Sequence, residues 1–214
     1  MRIAVINEFS TCAKNGEILA ALREAAPGAQ ILNAGMAQPG GQPMLTYVHT
    51  GLITGVLLGA GWCDFAVGGC GTGQGYLLSA MQLPGVSCGL VSDPLDAWLF
   101  SQINAGNCVS LVLNKGYGWA GDINLRYIFE KLFGEPAGLG YPRERADFQA
   151  QSRANLRAIS TSAHRPLAEI LTGIPDEIWE PVLRHEPFMK IVRQHEEDEA
   201  AQVILEKFEG AKSC

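Results

Sequence analysis

The central part of this 214-residue chain has very few charged side chains. Residues 27–122 contain five Asp, Glu, Lys or Arg residues, and the other 33 lie on either side of that stretch. The formal net charge is −6, which argues against a general nucleic-acid binder, because such proteins hold phosphates with a basic surface. A hydrophobic content of 47% excludes a disordered chain.

Long apolar runs are also missing. The apolar stretch at residues 52–61 is interrupted by Thr54 and by glycines. It is shorter than the ~20 apolar residues of a membrane-spanning helix. The first residues, MRIAVINEF, are too short and too soon polar for a signal peptide. We therefore expect a cytoplasmic protein with no membrane partner and no nucleic-acid partner.

The common motifs for metals, nucleotides and disulfides are absent from the sequence. The six cysteines show no CxxC spacing, the four histidines show no HxxxH or HExxH spacing, and no GK[ST] triplet occurs. These absences predict no metal site and no Walker-type nucleotide site. We expect most of the cysteines to be reduced and buried.

Strand-length and helix-length segments alternate over the first 133 residues. Predicted strands lie at 2–6, 30–33, 64–69, 86–91 and 108–113, and predicted helices at 13–26, 45–60, 75–82, 94–105 and 120–133. Short loops and uniformly apolar strands are typical of parallel sheets that are covered on both faces. The fold class we predict is α/β, a Rossmann-like three-layer sandwich with a parallel five-stranded sheet.

The rest of the chain has a different composition. Residues 134–142 are linker-like, and residues 143–163 and 176–209 carry most of the charge at helical length. We therefore predict a Rossmann-like domain at 1–140 and a helical C-terminal extension at 141–214. We expect the extension to pack on a partner subunit.

The most informative segment is GGCGTGQG at residues 68–75, where a predicted strand ends and a helix begins. Ligands of open parallel sheets bind at the carboxyl ends of the strands. The field of a helix N-terminus favours the thiolate form of a cysteine, so Cys70 is a candidate base or nucleophile. The backbone N–H groups of Gly71, Thr72 and Gly73 are candidate oxyanion donors. The alternative is that Cys70 is a small buried residue of the turn.

Three further features are candidate binding residues, each with a structural alternative. Glu8 follows the first strand, where it is either a catalytic side chain or a solvated N-cap. Asn104 and Asn107 either line a site or form a turn. A basic cluster either binds phosphate or is an ordinary helix surface; it consists of Arg143, Arg145, Arg153 and Arg157.

Residues 47–134 resemble the RpiB/LacA/LacB sugar-phosphate isomerases. The motifs are the strand DFAVGG running into CGTGQG, then Pro84-Gly85-Val86, Ser92-Asp93-Pro94 and the run from Gln102 to Asn107. They match without a gap between Tyr47 and Asn107. Because residues 150–214 exceed the usual length of that family, the chain is most similar to a longer, ribose/galactose isomerase branch.

The resemblance implies aldose–ketose isomerisation of a phosphorylated sugar, without a metal or an organic cofactor. It makes Cys70 the base that removes a proton beside the carbonyl and Thr72 the residue that orients the thiol. It also implies a homodimer or homotetramer with sites built from both subunits. The implied substrate-binding residues are Glu8, Tyr47, Gly71, Gly73, Gln74, Gly75, Asn104, Arg143 and Arg145.

The sequence departs from that family at two positions. Glu8-Phe9 stands where the family has Asp-His, and Ile103 stands where it has a His that helps to open the sugar ring. We therefore hypothesise a substrate that does not cyclise easily, such as a tetrose phosphate, or a ring opened by another residue. Two other functions stay open: a sugar-phosphate-binding protein without turnover, and a thiol redox protein that uses Cys70.

Overall fold

Five parallel strands form a single sheet in the computed structural model, which describes residues 1–212. The spatial order is β2-β1-β3-β5-β4. The strands are β1 (Arg2–Asn7), β2 (Gln30–Asn33), β3 (Phe65–Cys70), β4 (Cys88–Val91) and β5 (Cys108–Val112). All six residues of β3 are buried, as are five of the six in β1. The sheet confirms the predicted fold class and explains the shortage of charge, because both of its faces are covered.

Helices pack on both faces of the sheet. They are α1 (Asn15–Ala25), α2 (Tyr47–Gly59), α3 (Gln74–Ala80), α4 (Pro94–Leu99) and α5 (Gly121–Phe133). Helices α1, α4 and α5 share one hydrophobic cluster with the sheet, and α2 and α3 belong to a second cluster on the opposite face. No described helix has the length and hydropathy needed to cross a bilayer.

The helix predicted at 94–105 is interrupted. Helix α4 ends at Leu99, and a π-helical turn, Phe100–Asn104, follows it. Ala105 then has a left-handed backbone, with φ of 42°. The Phe100 ring at the start of this turn packs on two glycines, since a Cβ on Gly89 or on Gly106 would lie 2.4 Å from a ring atom.

The C-terminal helices predicted from the sequence are present, together with one that the pattern did not indicate. They are α6 (Ala146–Ala163), α7 (Leu167–Gly173), α8 (Asp176–Leu183), α9 (Glu186–Arg193) and α10 (Glu199–Lys212), and α7 is the additional one.

Residues 167–208 belong to the same hydrophobic cluster as α2, so α7–α10 pack on their own chain against the helical layer that covers the sheet. Trp62, which precedes β3, contacts the C-terminal helical region: its Nε1 donates to Asp198 at 2.7 Å and its ring stacks on His195. Helix α6 differs from its neighbours in burying none of its residues. That the extension at 141–214 also packs on a partner subunit stays a prediction, and α6 has the largest surface left uncovered by its own chain.

Candidate active site

Cys70 is the last residue of β3, the central strand. It therefore lies where the C-terminal ends of the parallel strands meet, which we call the carboxyl edge of the sheet. The residue is 7% exposed. Its carbonyl accepts hydrogen bonds from Gly73 N at 3.2 Å and from Leu113 N at 3.1 Å. The turn after β3 is therefore fixed both to itself and to the end of β5.

Gly73 shapes this turn. It has a left-handed backbone, with φ of 76°, and a Cβ there would lie 2.4 Å from Leu90 Cδ1. Ser110 Oγ donates to its carbonyl at 2.5 Å. Because its own N–H donates to Cys70 O, Gly73 does not offer that N–H to a substrate.

Of the three N–H groups expected to stabilise an oxyanion, those of Gly71 and Thr72 remain available to a substrate. The N–H groups of Gly71 and Thr72 donate to no acceptor in the described part of the chain. The Thr72 hydroxyl accepts from Gln74 N at 3.4 Å, and no described hydrogen bond joins it to the Cys70 thiol. Thr72 and Gln74 are both exposed beside the turn.

Tyr47 lies directly against the turn. A Cβ on Gly75 would be 2.9 Å from Tyr47 Cγ, so only a glycine lets the ring come this close. Tyr47 is the first residue of α2, which begins with a capping box between Thr46 and His49. Burial lowers the pKa of His49, which favours the neutral ring whose Nδ1 accepts from Thr46 N at 3.0 Å.

Glu8 follows β1 at the same edge and is 2% exposed. Its carboxylate accepts hydrogen bonds from the Ser10 backbone N–H, at 3.1 Å, and from the Ser10 hydroxyl. The alternative that Glu8 is a solvated N-cap is therefore wrong. It is a buried carboxylate, held by an exposed serine.

Sequence reasoning missed Asn114 and Lys14 at this edge. Lys14 Nζ donates to Asn114 Oδ1 at 2.8 Å, and Asn114 Nδ2 donates to Ser10 O at 3.3 Å. Asn114 Nδ2 also lies 3.2 Å from the position of a Cβ on Gly71. Asn114 directly follows a predicted strand, so the rule that ligands bind at strand carboxyl ends would have found it. Lys14 has no comparable signal.

Asn104 lies at the opposite edge of the sheet. It precedes β5, and Ala66 N near the start of β3 donates to the carbonyl of neighbouring Asn107 at 2.9 Å. Cys70 is at the other end of β3, roughly 13 Å from Ala66 at 3.3 Å per residue along a strand. Asn104 and Cys70 of one protomer are therefore on different sides of the molecule.

The Asn107 side chain forms hydrogen bonds to the loop that precedes β4. Its Oδ1 accepts from Ser87 N at 2.8 Å, and its Nδ2 donates to Gly85 O at 2.7 Å. The turn interpretation is therefore confirmed for Asn107. The neighbouring Asn104 is exposed and free to meet a ligand.

The arginines lie on the Asn104 side of the molecule. Arg143 is exposed, with its Nη1 3.4 Å from Leu139 O and its Nη2 4.0 Å from the Glu135 carboxylate. Arg145 is exposed on the same short turn. Arg153 instead donates to two backbone carbonyls, so both of its Nη groups have hydrogen-bond partners within the protein.

The predicted residues thus form two groups. The carboxyl-edge group consists of Glu8, Tyr47, Cys70, Gly71, Thr72, Gly73, Gln74 and Gly75. The amino-edge group consists of Asn104, Arg143 and Arg145. Within one protomer, the residues of each group lie near one another, but the two groups lie at opposite ends of the sheet.

Three other buried thiols have pKa values that are raised by burial. Burial raises the pKa of Cys63 to about 12 and also raises the pKa of Cys12 and Cys108, so these thiols stay protonated. The described residues contain no cluster of three or more possible metal ligands.

Comparison with known proteins is consistent with this architecture. The family model described as Ribose/Galactose Isomerase matches residues 3–130. No curated protein sequence matches the chain. A type B ribose 5-phosphate isomerase from Trypanosoma cruzi shares the fold at 20% identity, with a TM-score of 0.64 over 76% of this chain and 99% of its own.

Two solved structures are more similar and match almost the whole chain. One is 4-deoxy-L-threo-5-hexosulose-uronate ketol-isomerase complexed with a tartrate, at 38% identity and a TM-score of 0.91. The other is ribose-5-phosphate isomerase LacAB_rpiB from Vibrio parahaemolyticus, at 39% identity and a TM-score of 0.91. Each alignment covers 97% of this chain and 99% of the other. The chain is therefore a sugar isomerase and belongs to the Ribose/Galactose Isomerase family.

Proposed function

We propose that this protein interconverts an aldose and a ketose with Cys70 as the base. The thiolate takes the proton from C2 of the open-chain aldose, which gives an enediolate, and the thiol returns a proton to C1. The proton on O2 moves to O1, so the ketose is an isomer of the aldose. The observation that carries this proposal is the position of Cys70, at the end of β3 beside the unoccupied N–H groups of Gly71 and Thr72.

The substrate we propose is an anionic sugar that stays open. The two similar structures are named for different substrates, a hexosulose uronate and a ribose phosphate. A 4-deoxy-5-hexosulose has no hydroxyl at C4 and a ketone at C5, so neither position closes an ordinary ring onto C1. Ribose 5-phosphate cyclises through its C4 hydroxyl. The presence of Ile103 in place of a ring-opening His supports a non-cyclising uronate.

A phosphorylated sugar is the second candidate. It follows from the resemblance to sugar-phosphate isomerases and from the ribose-5-phosphate isomerase structure at 39% identity. A tetrose phosphate would also need no ring opening. Both candidates are anions, and both need cations at the site, with no metal or organic cofactor in the chemistry.

We infer that the site is completed by a second copy of the chain, in a homodimer or a homotetramer. The carboxyl-edge group of one subunit would then face the amino-edge group of its partner, which supplies the arginines. Helix α6 supports this inference, because it buries nothing and exposes large apolar side chains. These are Phe148 at 71%, Ile159 at 64% and Leu156 at 65% exposure.

Isotope exchange tests the proposed reaction. The protein is incubated in D₂O with the hexosulose uronate, ribose 5-phosphate or erythrose 4-phosphate, and deuterium at C1 and C2 is followed by NMR. We expect deuterium in the product from the uronate, and a loss of at least ~100-fold in Cys70→Ala. Cys63→Ala, which changes a buried thiol just before β3 and outside both groups, should keep its activity.

The other outcomes separate the alternatives. A higher kcat/KM for either phosphate would select the phosphorylated substrate. Binding without exchange would instead identify a binding protein without turnover. A peroxide-sensitive Cys70 with neither binding nor exchange would favour a thiol redox protein.

A further inference from the structure

We propose that Arg153 is a positioning residue that holds the amino-edge group in place. Its position in the basic cluster suggests an anion-binding role, but its side chain is committed to the protein backbone. The catalytic part of this inference rests on the proposed function above.

The guanidinium completes the end of the π-helical turn. The last carbonyls of a helix have no partner within the helix and need donors from elsewhere. Here three consecutive carbonyls are satisfied by the segment that follows α5 and by α6. The bonds are Gly138 N to Ser101 O at 2.9 Å, Gly140 N to Gln102 O at 3.0 Å, and Arg153 Nη1 to Ile103 O at 2.8 Å.

The same side chain makes a second contact. Arg153 Nη2 donates to Gly138 O at 3.4 Å, and a Cβ on Gly138 would lie 3.1 Å from that nitrogen. One planar fork therefore joins the π-helical turn to the loop that leads to Arg143. A lysine has a single ammonium group and does not reproduce this geometry.

The neighbouring backbone needs such support. Asn104 directly precedes Ala105, whose left-handed backbone is unfavourable for a residue with a Cβ. Strained conformations of this kind persist where surrounding contacts hold them. Helix α6 has no buried residue, and Arg153 is one of the few side chains that join it to the rest of the chain, together with Gln149, which exchanges two hydrogen bonds with Tyr141. Without Arg153, Ile103 O loses its donor, and the segment with Asn104 and Ala105 loses its hydrogen bond to α6.

The test compares Arg153→Gln and Arg153→Lys with Arg23→Gln. Arg23 is exposed on α1, outside the basic cluster and outside α6, and serves as the control. The measurements are kcat and KM with the substrate found by isotope exchange, and hydrogen exchange at residues 101–107. We expect Arg153→Gln to lower kcat/KM by about 10-fold or more, with a fall in kcat as well as a rise in KM. Its amides at 101–107 should exchange faster than those of the wild type. Arg153→Lys should give values between those of Arg153→Gln and the wild type, and Arg23→Gln should match the wild type.

Three results would overturn the inference. The first is equal behaviour of Arg153→Gln and Arg23→Gln in both measurements. The second is full activity in Arg153→Lys. The third is a pure KM effect without faster exchange at 101–107, which would make Arg153 an anion contact. If the wild type turns over no sugar, the proposed function fails, and hydrogen exchange still decides whether Arg153 holds this segment.

Discussion

Gly73 and Gly75 leave space in the Cys70 turn that a single methyl group would fill. At Gly73 the added carbon would meet Leu90, and the left-handed backbone adds a further penalty. At Gly75 it would meet the ring of Tyr47. The two glycines therefore have different tasks, since one shapes the turn and the other admits an aromatic side chain to it.

Gly73→Ala should destabilise the fold by about 1–3 kcal/mol, because the left-handed backbone and the contact with Leu90 both act against it. Gly16→Ala is the control, as a Cβ there meets nothing within 4 Å. Since alanine has the higher helix propensity, that variant should gain about 0.5–1 kcal/mol. Urea unfolding measures both, and equal changes in the two variants would contradict this account.

Gly75→Ala should act on substrate binding instead. The methyl group displaces the Tyr47 ring, which lies at the surface and is free to move without unfolding the chain. We expect KM to rise about 10-fold, equivalent to about 1.4 kcal/mol of binding energy, with a small change in the unfolding midpoint. An unchanged KM in a folded variant would remove Tyr47 from the site.

At the scale of elements, His185 connects the C-terminal helices to the sheet. It precedes α9, and its ring Nε2 lies 3.1 Å from Ala34 O, just beyond β2. Burial lowers the pKa of His185 below 6.5, so the unfolded chain binds the proton more readily than the folded one. Its contribution to stability is complete above pH 6.5 and is lost as the pH falls through that value.

The melting temperature should therefore decrease between pH 7 and pH 5. In His185→Gln the melting temperature should decrease less steeply with falling pH. Some pH dependence should remain, because the pKa of His49 is also lowered by burial. Thermal scans at several pH values provide the measurement. Parallel curves for the two proteins would show that His185 has no part in the acid sensitivity.

The elements themselves could be predicted because each strand is a short apolar run between loop residues. The π-helical turn could not, because the groups that donate to its last carbonyls, Gly138 N, Gly140 N and Arg153 Nη1, are distant from it in sequence. Helix α7 was missed because it is short and follows directly after Pro166.

The site could be predicted in part. Cys70 and Glu8 both follow predicted strands, so parallel topology brings them to one edge. The same topology puts Asn104, which precedes a strand, at the other edge. What the sequence did not indicate is the hydrogen bond from Gly73 N to Cys70 O, because it depends on the geometry of the turn. It also did not show that Arg153 binds carbonyls and not a ligand.

At the scale of the whole molecule, the proposed dimer would bring together the two groups of residues that one protomer keeps apart. In a twofold dimer each subunit gives the same residues to the other, so two identical composite sites result. The exposed apolar side chains of α6 provide a surface that such an assembly would cover.

Substitutions that add negative charge to α6 should therefore dissociate the proposed dimer. A double variant, Leu156→Glu with Ile159→Glu, changes two side chains that contact little in their own chain and are 65% and 64% exposed. Light scattering should show a mass reduced to that of one chain, with loss of isomerase activity and an unchanged circular dichroism spectrum. A wild-type mass and activity in this variant would exclude α6 from the interface.

The most direct test of the composite site is complementation between two inactive variants. Cys70→Ser removes the base from the carboxyl-edge group, and Asn104→Ala combined with Arg143→Ala disables the amino-edge group. Each protein alone should be folded and inactive. After unfolding and refolding together, half of the dimers are mixed and each mixed dimer has one intact site, so about one quarter of wild-type activity should return. A mixture no more active than its separate components would contradict the composite site.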